Sequence, residues 1–173
     1  MSWAFGAAGT AATSSAATAG DGGLTVSLPS GVTSGQLLLL AAMRRPDTGQ
    51  TWATGPSGYT ELGSDAQNQL KLWGKIAGGS ESNPNIIATE GNVAMAQMAR
   101  FTGAPASIGS IVHAIANGGS DYNLVEDIDT PALTISVPET LVIYLGAASW
   151  SNWTAGTNPN GSTTIGHTNY TGT

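Results

Sequence analysis

One arrangement of apolar segments occurs twice in this chain, and it limits what the chain can fold into. Residues 24–29 read Leu-Thr-Val-Ser-Leu-Pro and, after a short turn, residues 37–43 read Leu-Leu-Leu-Leu-Ala-Ala-Met. A close copy returns as Leu-Thr-Ile-Ser-Val-Pro at 133–138 and Leu-Val-Ile-Tyr-Leu-Gly-Ala-Ala-Ser at 141–149. In the first segment Leu24, Val26 and Leu28 point one way while Thr25 and Ser27 point the other, the two-residue period of a strand with one wet face. Pro29 and Pro138 stop both copies. The second segment is apolar at nearly every position, as expected for a strand covered on both faces. It is short and bounded by Ser34-Gly35 and by Pro46, Asp47, Thr48 and Gly49, so strand is expected over helix. The residues beyond each strand pair are also alike: an aromatic, a Pro/Gly loop and a short strand occupy 51–63 and again 153–166.

Between the copies the pattern stays that of strands and turns. Residues 59–62 read as a short strand closed by a turn at 64–68. Residues 69–76 alternate, with Leu70, Leu72 and Ile76 on one face and Lys71, Trp73 and Lys75 on the other, a strand with a tryptophan among lysines. A polar loop over 77–85, a brief strand over 86–89 and a turn at 90–92 come next. Residues 93–101 carry Ala, Met, Gln and Arg, which favour helix, but Val93, Met95, Ala99 and Phe101 sit at strand spacing; strand is expected. A further strand is expected over 108–116, then a turn at Asn117-Gly118-Gly119 and an acidic cluster within 121–131. The whole predicts an all-β chain, a jelly-roll-like antiparallel β-sandwich with an extended N-terminal arm. Its parts are an arm at 1–23, a sandwich at 24–131, and the repeated strand pair at 132–173, which completes the sandwich or starts a truncated second unit.

Residues 1–23 are Ala, Gly, Ser and Thr with two aromatics, Trp3 and Phe5, near the tip. Such composition reads as a flexible arm. Large aromatics on a tail of small residues would otherwise be left in water, so Trp3 and Phe5 are candidate anchors on a neighbouring subunit.

Only 9% of residues are charged and the net charge is -6. The five basic residues, Arg44, Arg45, Lys71, Lys75 and Arg100, are scattered and make no phosphate-neutralising stripe, so nucleic acid is not an expected partner. With no cysteine there is no disulfide or thiolate metal site. No membrane insertion is expected, because the longest apolar run falls far below the roughly 20 residues of a spanning helix. The first ten residues lack the basic and Leu-rich regions of a secretory signal. Gly, Ser, Thr, Ala and Asn in place of Lys and Glu suit an extracellular β-protein. A virion component, assembled in the cytoplasm and released by lysis, meets both conditions.

Four fragments carry a resemblance: Gly35 to Met43, then Pro56-Ser57-Gly58-Tyr59-Thr60-Glu61-Leu62, then Leu72 to Glu81, then Ala99-Arg100-Phe101-Thr102-Gly103. Their order and spacing are similar to a pattern common in tailed-bacteriophage structural proteins. The match covers 24–103, with 133–166 as a weaker second copy. Gln36 replaces the acidic residue usual there, and Arg100-Phe101 reverses the usual aromatic-Arg order. The resemblance implies a β-sandwich on the virion surface, in a fibre, a tail tip or a head decoration. It also implies a structural or adhesive role, a homotrimer, and other virion structural proteins as partners.

No residue set points to catalysis, so no enzyme, cofactor or metal is expected. His113 lies among apolar neighbours in an expected strand and His167 in a Gly/Thr/Asn loop. The nucleophile-elbow pattern is absent. Glu61, Asp65, Glu81 and Glu90 lie near loops as a glycosidase pair would, but carboxylates on turns are ordinary solvating groups. Asp121, Glu126, Asp127 and Asp129 lack the Gly and terminal Glu of an EF-hand loop. Asn152, Asn160 and Asn169 match the glycosylation pattern by accident of a Thr/Asn-rich tail. Trp52, Trp150 and Trp153 precede loops in equivalent parts of the two copies. They plug the sandwich and its contacts, or they are platforms for a sugar ring. The expected function is therefore a structural component of a phage virion surface, anchored through its N-terminal arm and in contact with host surface glycan. The alternative is a carbohydrate-binding module using Trp52, Trp150 and Trp153.

Overall fold

The computed structural model describes residues 3–14, 23–44, 52–64, 70–88, 94–104, 106–110, 140–146 and 164–170. They form strands β1 (Ala4–Ala8), β2 (Ala12–Ser14), β3 (Leu24–Thr25), β4 (Leu37–Arg44), β5 (Trp52–Thr54) and β6 (Thr60–Ser64). The rest are β7 (Leu70–Ile76), β8 (Asn85–Ala88), β9 (Ala94–Thr102), β10 (Thr140–Gly146) and β11 (Thr164–Tyr170), with one 3-10 turn at Ile108–Ser110. Every strand pair is antiparallel, and the described residues contain no α-helix. The described residues agree with the expected all-β class.

A six-stranded sheet runs β1-β9-β4-β7-β6, with β2 also on the outer edge of β9, and a three-stranded sheet runs β3-β8-β5. β4 lies at the centre, paired with β7 from Leu37↔Ile76 to Met43↔Leu70 and with β9 from Leu37↔Phe101 to Arg44↔Ala94. Its leucine run therefore serves two cores, because successive side chains leave a strand on opposite faces. Leu38, Leu40 and Ala42 join Trp73, Ala96 and Met98 of their own sheet with Leu24, Val26 and Ile86 from the β3-β8 side. Leu37 and Leu39 join Ala99 and Phe101 on the opposite face, where Trp3, Leu62, Leu72, Ile76, Ala104 and Ile108 pack. No leucine of the run is more than 3% exposed. Each contributes about 1.5–3 kcal/mol by leaving water, and double coverage is why the segment needs no polar alternation.

The ambiguous stretch before Phe101 is β9, a strand, since both of its edges are paired. β7 alternates as expected, with one difference. Trp73, expected among lysines, is 3% exposed and sits in the core shared by the two sheets. Lys71 and Lys75 reach out from either side of it to Glu61 and Glu81. Of the strand expected over 108–116, the first three residues form the 3-10 turn; 111–116 lie outside the described residues, as do 133–138.

The N-terminus departs most from expectation. Where a flexible arm was expected, β1 and β2 run along β9, pairing Ala4↔Thr102 to Ala8↔Ala99 and then Ala12↔Ala96 to Ser14↔Ala94. The Gly9 N–H donates to the Met98 carbonyl at 2.7 Å and the Gln97 Nε2 donates to the Gly9 carbonyl at 3.1 Å, bridging the gap between them. The physical reason is that backbone groups hold this segment. Ala, Gly and Thr supply no periodicity to read, yet small residues lie flat against a neighbouring strand. A Cβ on Gly6 would collide with the Arg100 guanidinium.

In the second copy β10 pairs with β11 from Thr140↔Tyr170 to Gly146↔Thr164. The repeat is thus not paired as the first copy is. β4 takes β7 and β9 as neighbours, whereas β10 takes β11, which starts at the end of the stretch that parallels 51–63 and runs beyond it.

Candidate functional site

Three hydrogen-bonded loops meet beside one end of β7. The turn at 56–59 is closed by the Tyr59 N–H donating to the Pro56 carbonyl at 3.2 Å. Gly58 has φ 79°, the left-handed value that the third position of a type II turn requires. The second loop begins where the β4-β7 ladder runs out. The Gly35 N–H donates to the Ala77 carbonyl at 2.9 Å and the Ala77 N–H to the Gln36 carbonyl at 2.8 Å. The Gln36 side chain, 9% exposed, accepts the Thr33 N–H at 2.9 Å.

The third loop is fastened by charge. The Lys75 ammonium lies 2.7 Å from Glu81 Oε2, and Glu81 Oε1 accepts the Gly78 N–H at 2.7 Å. Burial acts to raise the Glu81 carboxyl, but its bonds from Lys75 and Gly78 and the Lys75 charge outweigh this and leave it below the usual value. The same ammonium stands 5.5 Å from the centre of the Tyr59 ring, within cation-π range. Burial, and after it the Glu81 charge, pushes the Tyr59 phenol up from 10.0. Its hydroxyl donates to the Met98 sulfur at 3.5 Å. Tyr59, Lys75, Glu81 and Gln36 were not foreseen as a group; the signal for them was the four resembling fragments themselves. On β9, level with Lys75 across Leu38, the Arg100 Nε donates to the Ser30 carbonyl at 2.7 Å, tying the loop after residue 29 to the sheet.

Trp3 and Phe5 both sit on this chain's own sheet. Trp3 is half-buried against the Leu37, Leu39, Ala99 and Phe101 group. Phe5 meets Phe101 edge-on, with centroids 5.8 Å apart. At 38% exposure it is the large apolar side chain that the described residues leave at the surface. Trp52 is half-buried against the core, edge-on to Trp73 at 5.7 Å, and its indole N–H is buried with no hydrogen-bond partner. Trp150 and Trp153 lie outside the described residues, as do His113, Asp65, Glu90 and the acidic cluster. Glu61 is paired with Lys71 at 2.8 Å. Among the described residues no three His, Asp or Glu side chains gather as metal ligands do. No family model, curated protein or solved structure matches the chain.

Proposed function

We propose that this chain is a structural component of a phage virion surface, a fibre, tail-tip or capsid-decoration subunit that associates with its own copies and with neighbouring virion proteins. One observation supports this reading above the others. The fragments that carry the resemblance, far apart in the chain, hold one another in space. Gly35 and Gln36 of the first bond Ala77 of the third, and Lys75 of the third faces Tyr59 of the second. Tyr59 in turn bonds Met98, beside the fourth. A residue pattern spent on fastening loops suits a structural scaffold.

The sandwich itself we read as Greek-key. Strands β4 to β8 take the neighbour order of the middle five strands of an immunoglobulin-type sandwich, β4-β7-β6 over β8-β5, while β3 and β9 exchange sheets. That order favours an immunoglobulin-like path over the jelly roll expected from sequence. Trp52, with its N–H buried and its ring edge-on to Trp73, does not favour the alternative of a sugar-stacking module.

The test uses antibody to the purified chain on a density gradient of a lysate containing intact particles. The chain is expected in the particle band. Its confinement to the soluble fractions would overturn the proposal.

A further inference from the structure

Among the described residues the three-stranded sheet has β3 and β5 at its edges, and the two are held very differently. β3 is two residues long, but the chain beyond it stays fastened. The Val26 N–H donates to the Pro84 carbonyl at 2.9 Å and the Leu28 N–H to Asn83 Oδ1 at 2.9 Å, and Leu24 and Val26 are buried in the shared core. β5 is three residues long and meets β8 at Trp52↔Ala88 and Thr54↔Ile87, with a slip of register between the two pairs. A short edge strand on a slipped ladder is low in local stability.

The indole that β5 sets against the core adds to this. Trp52 is half-buried and edge-on to Trp73 at 5.7 Å, and its N–H is buried without an acceptor. A donor buried in this way disfavours the arrangement that buries it, because the bond it makes with water is not replaced. That cost falls on the closed position of β5 alone and disappears once the ring reaches water. Trp73 stands in the reverse relation to β5. It is 3% exposed, and two parts of this segment lie against its indole: the Trp52 ring, and the backbone at Gly55, where a Cβ would stand 3.0 Å from Trp73 Nε1.

We infer that β5 is a movable cover, which detaches from β8 while both sheets stay folded, gives the Trp52 N–H to water and uncovers Trp73. The pivot is exposed Gly55, between β5 and the turn at 56–59 that the Tyr59 N–H closes on the Pro56 carbonyl. The core beneath persists, because the neighbours of Trp73 there include Leu38, Leu40 and Met98, carried by β4 and β9, each paired along both edges. The motion belongs to the isolated chain and stands apart from the virion role, whose particle-band test it leaves untouched.

The experiment is hydrogen exchange of the intact chain, followed by NMR over urea concentrations below the unfolding transition. The deciding group is the buried Trp52 indole N–H, since an outward-facing amide on an edge strand exchanges without any opening. Its protection is expected to be about a hundredfold or more below that of the 38–40 amides on β4, and insensitive to urea where theirs falls steeply. The Trp73 indole N–H is expected to be protected no better than that of Trp52. A Trp52 N–H released only together with the β4 amides, on the same urea slope, overturns the inference. So does a Trp73 N–H that stays protected while that of Trp52 exchanges.

Discussion

Glu81→Ala isolates the charged fastening beside β7. The substitution removes a carboxylate whose side chain is 7% exposed and which holds both the Lys75 ammonium and the Gly78 N–H. Hydrogen bonds to charged groups contribute about 1.5–3 kcal/mol. Lys75 is 27% exposed and reaches water once released, and exposed Gly78 does the same, so the loss stays at about 2–3 kcal/mol rather than the larger cost of stranding a fully buried charge. For a chain of this size that is a fall of about 4–12 °C in Tm. Glu81→Gln keeps an acceptor for Gly78 and loses about half as much. Urea unfolding of the two single variants, Lys75→Met and the double variant gives the coupling directly, expected at about 1–2 kcal/mol. Because the folded carboxyl lies below its unfolded value, this stabilisation is present above about pH 4.5 and is lost as pH falls through the folded value. Glu81→Gln therefore has a flatter acid limb than the unaltered chain. Additive single variants, or equal acid limbs, would refute the reasoning.

Three further outcomes are expected from the packing. Gly74→Ala places a Cβ 2.8 Å from a Leu62 methyl and 2.9 Å from an Ile108 methyl, so it destabilises by about 1–3 kcal/mol in urea titrations. Adding Ile108→Ala recovers part of that, and strict additivity would show that the 3-10 turn does not rest on β7. Phe101→Ala empties a site with 0% exposure and costs about 3–5 kcal/mol; a loss under about 1 kcal/mol would mean that this face of the sheet is not packed. The phenol of Tyr59 is raised from 10.0, so its stabilisation is complete below about pH 10 and declines as pH climbs towards the folded value. Thermal melts of Tyr59→Phe should show a shallower alkaline limb, and an identical limb would place the phenol in water.

Alternation made β7 readable, and a run of apolar residues made β4 readable, because both signals are local and both strands are covered by side chains that leave a trace in composition. The face of Trp73 was read correctly, but its burial was hidden for a related reason. Two lysines two residues to either side imply water, but long stems let them reach the rim while the indole between them is buried. The N-terminal strands were illegible, since Ala4, Gly6, Ala7 and Ala8 are chosen to lie flat against β9 and backbone pairing writes nothing into side chains. Strand order was equally hidden. Nothing local to residues 24–29 tells that they join β8 and not β4, the next strand in the chain. The fastening of Tyr59, Lys75 and Glu81 was half-visible: its fragments stood out by order and spacing, yet nothing local told that they meet in space.

The pairing of β1 with β9 carries a consequence for synthesis. The Thr102 hydroxyl bonds the Ala4 carbonyl across 98 positions of sequence, so the first strand to leave the ribosome waits for one of the last strands of its sheet. At about 5–20 residues per second the wait is about 5–20 s. Throughout it β1 is without the β9 partner that it takes in the folded sheet. Contacts of such long range also form slowly even in a complete chain. Translation speed therefore sets how long β1 stays without the strand that it pairs with in the folded sheet.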